Sequence, residues 1–149
     1  MNVAVADKGT LLAEFASWLK KELGYDSETV EGLLYKPWDG AYPEALLGDD
    51  IIVDIENFLY DMAMFAVEKV FGEKIDFDRR FHVLIIPYGS YEGCSSVYVL
   101  EMKTKTVLAS LEEKTWHFNP ETIEEGLKDL ADQLEKSKSL LAVRLVADA

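Results

Sequence analysis

The chain has 149 residues, of which 49% are hydrophobic, 11% aromatic and 29% charged, and its formal net charge is −13. A chain of this length is expected to form a single domain over residues 1–149 with a sizeable core, and the composition excludes disordered, collagen-like and coiled-coil classes. One cysteine, Cys94, excludes an intrachain disulfide and a cysteine-based zinc cage.

In chain order, Thr10–Leu23 predicts an amphipathic helix. Leu11, Leu12, Phe15, Trp18, Leu19 and Leu23 recur at helical spacing, and Gly24 supplies the stop. Ser27 is expected to cap a short second helix through about Tyr35, with Val30, Leu33 and Leu34 inward. Pro37–Gly48 holds two Pro and two Gly and reads as a loop. Asp50–Phe71 predicts the clearest helix, with Ile51, Ile55, Phe58, Leu59, Met62, Phe65, Ala66 and Val70 on its apolar side. Its opposite side carries Asp50, Asp54, Asn57, Asp61 and Glu68 along one stripe, because steps of three, four and seven return to the same face.

The second half changes period. Phe81–Tyr88, rich in Val, Leu and Ile, reads as an internal, buried strand. Ser96–Met102 and Thr106–Leu111 are apolar runs joined by Lys103-Thr104-Lys105, which predicts a tight hairpin. Asn119-Pro120-Glu121 is a helix start, with Asn119 as cap and Pro at the first position. Ile123, Leu127, Leu130, Ala131 and Leu134 then face the core, and Lys136 and Lys138 suit the helix end. Leu140–Val146 is a last strand or a continuation of that helix. Ser137 and Ser139 favour the strand. The order predicts an α+β fold: N-terminal helices, an antiparallel β-meander, a C-terminal helix and possibly a last strand.

Charge is uneven. Residues 1–75 hold fifteen acids and six bases, and residues 76–149 hold thirteen and nine. Between Lys36 and Lys69 no base interrupts Asp39, Glu44, Asp49, Asp50, Asp54, Glu56, Asp61 and Glu68. Such a segment repels phosphate backbones, so direct nucleic-acid binding is not expected. It suits a basic protein partner or a metal ion, and its plainer reading is a solvated face. Apolar runs such as Leu140–Val143 are far too short to span a bilayer. Met1–Thr10 has no apolar core of leader length, so the expected compartment is the cytoplasm.

Three constellations carry chemistry. Cys94, in a glycine-rich stretch, needs a base to act as a nucleophile, and the only histidines are His82 and His117. Its spacing marks no nucleophile elbow, a lone Cys is commonly an inert small hydrophobe, and His82 reads as packed within its strand. Asp50, Asp54, Asn57 and Asp61 offer oxygen ligands of the kind hard cations take, though no base lies near to hold a phosphate. Trp38, Tyr42, Tyr88, Tyr91, Trp116 and His117 lie in three loops whose Tyr, Trp, Gly and Ser match recognition surfaces. The plainer reading has Trp38 and Trp116 as lids over helix ends. Phosphate-loop and dinucleotide glycine motifs are absent.

The expected function is that of a small acidic, non-enzymatic binding protein, a regulator or inhibitor. It would engage a basic protein partner through Asp39, Glu44, Asp49, Asp50, Asp54 and Asp61, or hold a ligand in the aromatic loops. No cofactor is expected. The alternative is a divalent-metal-dependent phosphohydrolase or nuclease using the Asp50–Asp61 stripe, and a third reading is a subunit whose aromatics form an oligomer interface.

Overall fold

The computed structural model describes residues 10–35, 51–72, 77–87, 94–115 and 119–148. Within these, side chains are described except at 10, 51–55, 77, 78, 87, 94, 113–115 and 142–148. The elements are α1 (Thr10–Leu23), α2 (Ser27–Leu34), α3 (Ile51–Phe71), the single turn α4 (Phe77–Arg80), β1 (Phe81–Pro87), β2 (Cys94–Glu101), β3 (Thr106–Thr115) and α5 (Pro120–Asp148). The fold is α+β: helices flank an antiparallel meander of order β1-β2-β3.

Helix α1 buries Leu12, Phe15, Ala16 and Leu19, one face of its period. It closes on Gly24, whose φ of 73° is left-handed and suits glycine. Its first turn is capped from a distance: the Leu12 N–H donates to Glu124 Oε1 of α5 at 2.7 Å, which places a carboxylate at the positive helix end. The cap of α2 is Asp26 rather than Ser27. Asp26 keeps an extended backbone and its side chain accepts the Thr29 N–H at 2.7 Å. That hydrogen bond also holds the exposed Asp26 carboxyl below its ordinary 3.8.

Helix α3 is apolar over a wide arc. Phe58, Leu59, Met62, Ala63, Phe65, Ala66, Val67 and Val70 are buried, since α1, α5 and the sheet all touch it. Phe15 of α1 is the hub of an aromatic cluster, 5.9 Å from Phe58, 5.2 Å from Phe65 and 6.0 Å from Trp18 between ring centres. Phe58 and Phe65, on the apolar side read from the sequence, thus meet α1. At the far end Lys138 Nζ of α5 donates to the Val70 C=O at 2.9 Å, where a helix leaves carbonyls unpaired.

The three strands alternate, one face inward and one outward. Phe81, Val83, Val97, Val99, Ala109 and Leu111 are buried under α3 and α5, while His82, Leu84, Ile86 and Val107 are exposed on the other face. Two expectations are thereby corrected. His82 is not packed, because strand alternation turns it outward. Phe81–Pro87 is not internal: β2 is the central strand and β1 lies at an edge of the sheet. The hairpin lies where expected, at Met102–Lys105, with Lys105 at φ 58°. Buried Glu101 ties it down by accepting from Thr104 Oγ1 at 2.7 Å, with Arg80 Nε 4.0 Å away.

Helix α5 starts with a reciprocal cap. Asn119 Oδ1 accepts the Thr122 N–H at 2.9 Å, and the Asn119 N–H donates to Thr122 Oγ1 at 3.0 Å. Ile123, Leu127, Leu130 and Leu134 are buried along α3 and β3. Gly126 leaves room for the Met62 side chain of α3, since a Cβ there would stand 3.1 Å from Met62 Cε. The helix does not yield to a strand after Lys138. It runs to Asp148, which corrects the strand reading of Leu140–Val146. No Pro or Gly interrupts residues 127–148, and Ser137 turns its hydroxyl to the Leu108 C=O at 2.6 Å instead of breaking its own helix.

Candidate functional site

Most predicted site residues lie outside the described residues: Trp38, Tyr42, Tyr88, Tyr91, Trp116 and His117 among the aromatics and His117's loop, and Asp39, Glu44, Asp49 and Asp50 among the acids. Asp54 lies in α3, in a stretch whose side chains are not described, and Cys94 opens β2 under the same limit.

Asp61 is the predicted site residue whose surroundings are visible. It sits in α3 on the side that faces the α1–α2 connection, and its Oδ2 accepts from the Tyr25 hydroxyl at a long 3.4 Å. Burial raises its carboxyl from 3.8 to about 6, and the Tyr25 hydrogen bond opposes this only in part. Two turns along α3, Glu68 Oε2 accepts from Trp18 Nε1 at 3.2 Å. The polar stripe of α3 is thus where α1 and the α1–α2 connection dock, and these two carboxylates are half-buried. Among the described residues, no three His, Cys, Asp or Glu side chains are grouped to hold a metal ion. Tyr35, just before residues 36–50, has its phenol raised above 10.0 by burial and then by the Glu31 carboxylate.

The freely exposed acids lie elsewhere. Glu121, Glu125, Asp132 and Glu135 are exposed on α5 at steps of four, seven and three, which keeps them on one side of the helix. Lys128 lies among them. Of these, Lys128, Asp132 and Glu135 line, with Leu11, Lys69, Val70, Glu124 and Ala131, an open groove of about 480 Å³ between α1, α3 and α5. Lys69 is engaged there by Glu14 at 2.8 Å. The sequence reading of α5 covers its start at Asn119-Pro120-Glu121 and its apolar face, not this stripe. The i, i+4, i+11, i+14 repeat was its available signal. The second surface it missed is apolar: Leu84, Ile86 and Val107 are 42%, 44% and 50% exposed on the outer face of the sheet.

Compared with known protein families, curated proteins and solved structures, the chain matches none. Among the described residues no helix is long and apolar enough to cross a membrane.

Proposed function

We propose that the protein is a small acidic binding protein that engages a basic protein partner by presenting carboxylates, and that it is not an enzyme. The observation that carries this reading is the exposed stripe Glu121, Glu125, Asp132 and Glu135 on α5, whose side chains make no ion pair among the described residues, in a chain of net charge −13. Exposed, unpaired carboxylates steer a basic partner at long range and bind it with salt-dependent strength. The base-free segment between Lys36 and Lys69 adds to the same negative net charge.

The test compares the wild-type chain with a quadruple charge reversal, Glu121→Lys, Glu125→Lys, Asp132→Lys and Glu135→Lys. Each chain is immobilised and used to capture basic proteins from a cell extract at low and high salt. A discrete basic protein retained by the wild type at low salt, released as the Debye length falls below about 10 Å, and not retained by the variant is the expected result. Equal capture by both chains would refute the reading. So would heat from site-specific binding of magnesium or manganese at micromolar concentration, which the carboxylate hydrolase alternative requires.

A further inference from the structure

The two edges of the sheet are built differently. Along β3 the outward groups of Ser110 and the Leu108 carbonyl are taken. The Ser110 N–H donates to Gln133 Oε1 at 2.9 Å, and Gln133 Nε2 donates to the Ser110 C=O at 2.8 Å. Ser137 closes the next position on Leu108. Along β1 the pattern of ladder bonds can be followed residue by residue. The Met102 N–H donates to the Arg80 C=O at 2.8 Å, so that opposed pair is a hydrogen-bonded one. Alternation then turns the backbone groups of His82, Leu84 and Ile86 toward β2, and those of Val83 and Ile85 toward the open edge. The same alternation, carried across β2 through the pairs Val97↔Leu111 and Val99↔Ala109, predicts that Ser110 points outward, where Gln133 meets it.

No described residue caps Val83 or Ile85 as Gln133 caps Ser110. The strand, Phe-His-Val-Leu-Ile-Ile-Pro, carries no Asp, Glu, Lys or Arg and pairs with β2 without a bulge. These are the devices by which proteins blunt a free edge, and an uncharged regular edge is a template for another strand. Pro87, which has no N–H, falls at the strand's end and leaves the interior donors intact.

We propose that two copies of this chain pair antiparallel through β1, with Leu84 on the two-fold axis, to form a continuous six-stranded sheet. The occupant is a second copy for three reasons. First, the edge is self-complementary. Val83 of one copy lies opposite Ile85 of the other, twice over, which makes two hydrogen-bonded pairs and four backbone bonds. On the outer face Leu84 meets Leu84, and each Ile86 meets the second copy's His82, so exposed apolar surface is covered by like surface. Second, charge favours a neutral visitor. The strand itself offers no acid to attract a strongly basic partner, and pairing two copies there sets no carboxylate of one β1 against a carboxylate of the other. The basic residues Arg79 and Arg80 precede each β1, so the antiparallel arrangement sends the two pairs to opposite ends. Third, area sets the strength. An edge of seven residues, about 23 Å long in a layer about 10 Å thick, buries well under the roughly 1,200 Å² of a standard interface. The dimer is therefore reversible, and it strengthens as salt screens the net charge, the opposite sign to the capture of a basic partner.

The experiment is sedimentation equilibrium of the chain from about 10 μM to about 1 mM, a span that brackets weak association, at 0.05 and about 0.5 M salt. The expected result is a weight-average mass that rises from one chain toward two, earlier at high salt. Leu84→Lys sets two ammonium groups face to face on the axis and is expected to abolish the rise, with Ile86→Lys as a second outer-face variant should the first fold poorly. Leu84→Cys, made with Cys94→Ala, is expected to oxidise to a covalent dimer, because opposed residues of a non-hydrogen-bonded pair stand at disulfide distance. Glu112→Cys in the same background serves as the control that stays monomeric. A single-chain mass at every concentration would overturn the proposal. A dimer that survives both lysine variants would overturn it as well, by placing the interface elsewhere.

Discussion

Asp61→Asn tests how this fold treats a carboxylate that it buries. In the folded chain Asp61 keeps its proton up to about 6, while in the unfolded chain it titrates at its ordinary 3.8. Between those two values the folded state holds the additional proton, so the contribution of Asp61 to stability falls as pH rises through that window and levels off above about 6. At about 1.4 kcal/mol per pH unit, the gap amounts to about 3 kcal/mol of penalty for the ionised side chain at neutral pH. Asparagine has the same shape, carries no charge and still accepts a hydrogen bond from the Tyr25 hydroxyl. Asp61→Asn is therefore expected to stabilise the protein by about 1–3 kcal/mol at pH 7.5, the lower end allowing for solvent reaching a half-buried group. The gain should shrink toward zero by pH 4, where both side chains are neutral. Urea unfolding followed by tryptophan fluorescence at half-unit steps from pH 4 to 8 measures both curves, with Trp18 of the Phe15 cluster as a nearby reporter. A variant less stable than the wild type at pH 7.5, or a difference that does not change with pH, would refute the reasoning. Either result would mean that the ionised carboxylate is better satisfied than its long bond to Tyr25 implies.

Further outcomes follow from the same contacts. Gln133→Ala removes both side-chain bonds to Ser110 and is expected to cost about 1–3 kcal/mol, because a half-buried backbone pair loses its partner. Amide hydrogen exchange at Ser110 should accelerate by more than exchange at Val97 or Val99, which a general loss of stability would not produce. Phe15→Ala empties the centre of the aromatic cluster and is expected to cost about 3–5 kcal/mol in urea titration, and a cost below 1 kcal/mol would show that the cluster is not packed as described.

Much of the architecture is legible in residue order because it rests on local chemistry. The 3.6-residue spacing of Leu12, Phe15 and Leu19, the stop at Gly24, the cap at Asn119 and the start at Pro120 specify helix ends through bonds made within a few residues. The meander is legible for the same reason, since a short polar turn between two apolar runs brings adjacent strands together. Of the candidate site, only Asp61 can be compared with its prediction in three dimensions. The stripe that contains it was visible, but the fate of the stripe was not, because periodicity says which residues share a face and not what packs on it. The tertiary structure alone decided the rest. It turned the polar side of α3 toward Tyr25 and Trp18, which made Asp61 a strained neutral-pH carboxylate. It drew α5 through Ser137 and Ser139, which in isolation read as an interruption, to Asp148, with Ser137 and its neighbour Lys138 bonded to the carbonyls of Leu108 and Val70. It left His82, Leu84 and Ile86 uncovered, because helices pack on only one face of the described sheet. The sequence by itself determined most of the segments that become helix or strand, the stretch after Lys138 excepted, through bonds between near neighbours. Which polar face is buried, which edge is capped and which apolar face stays open depend on side chains as many as 112 positions apart, as at Leu12 and Glu124, and only the folded chain brings those together.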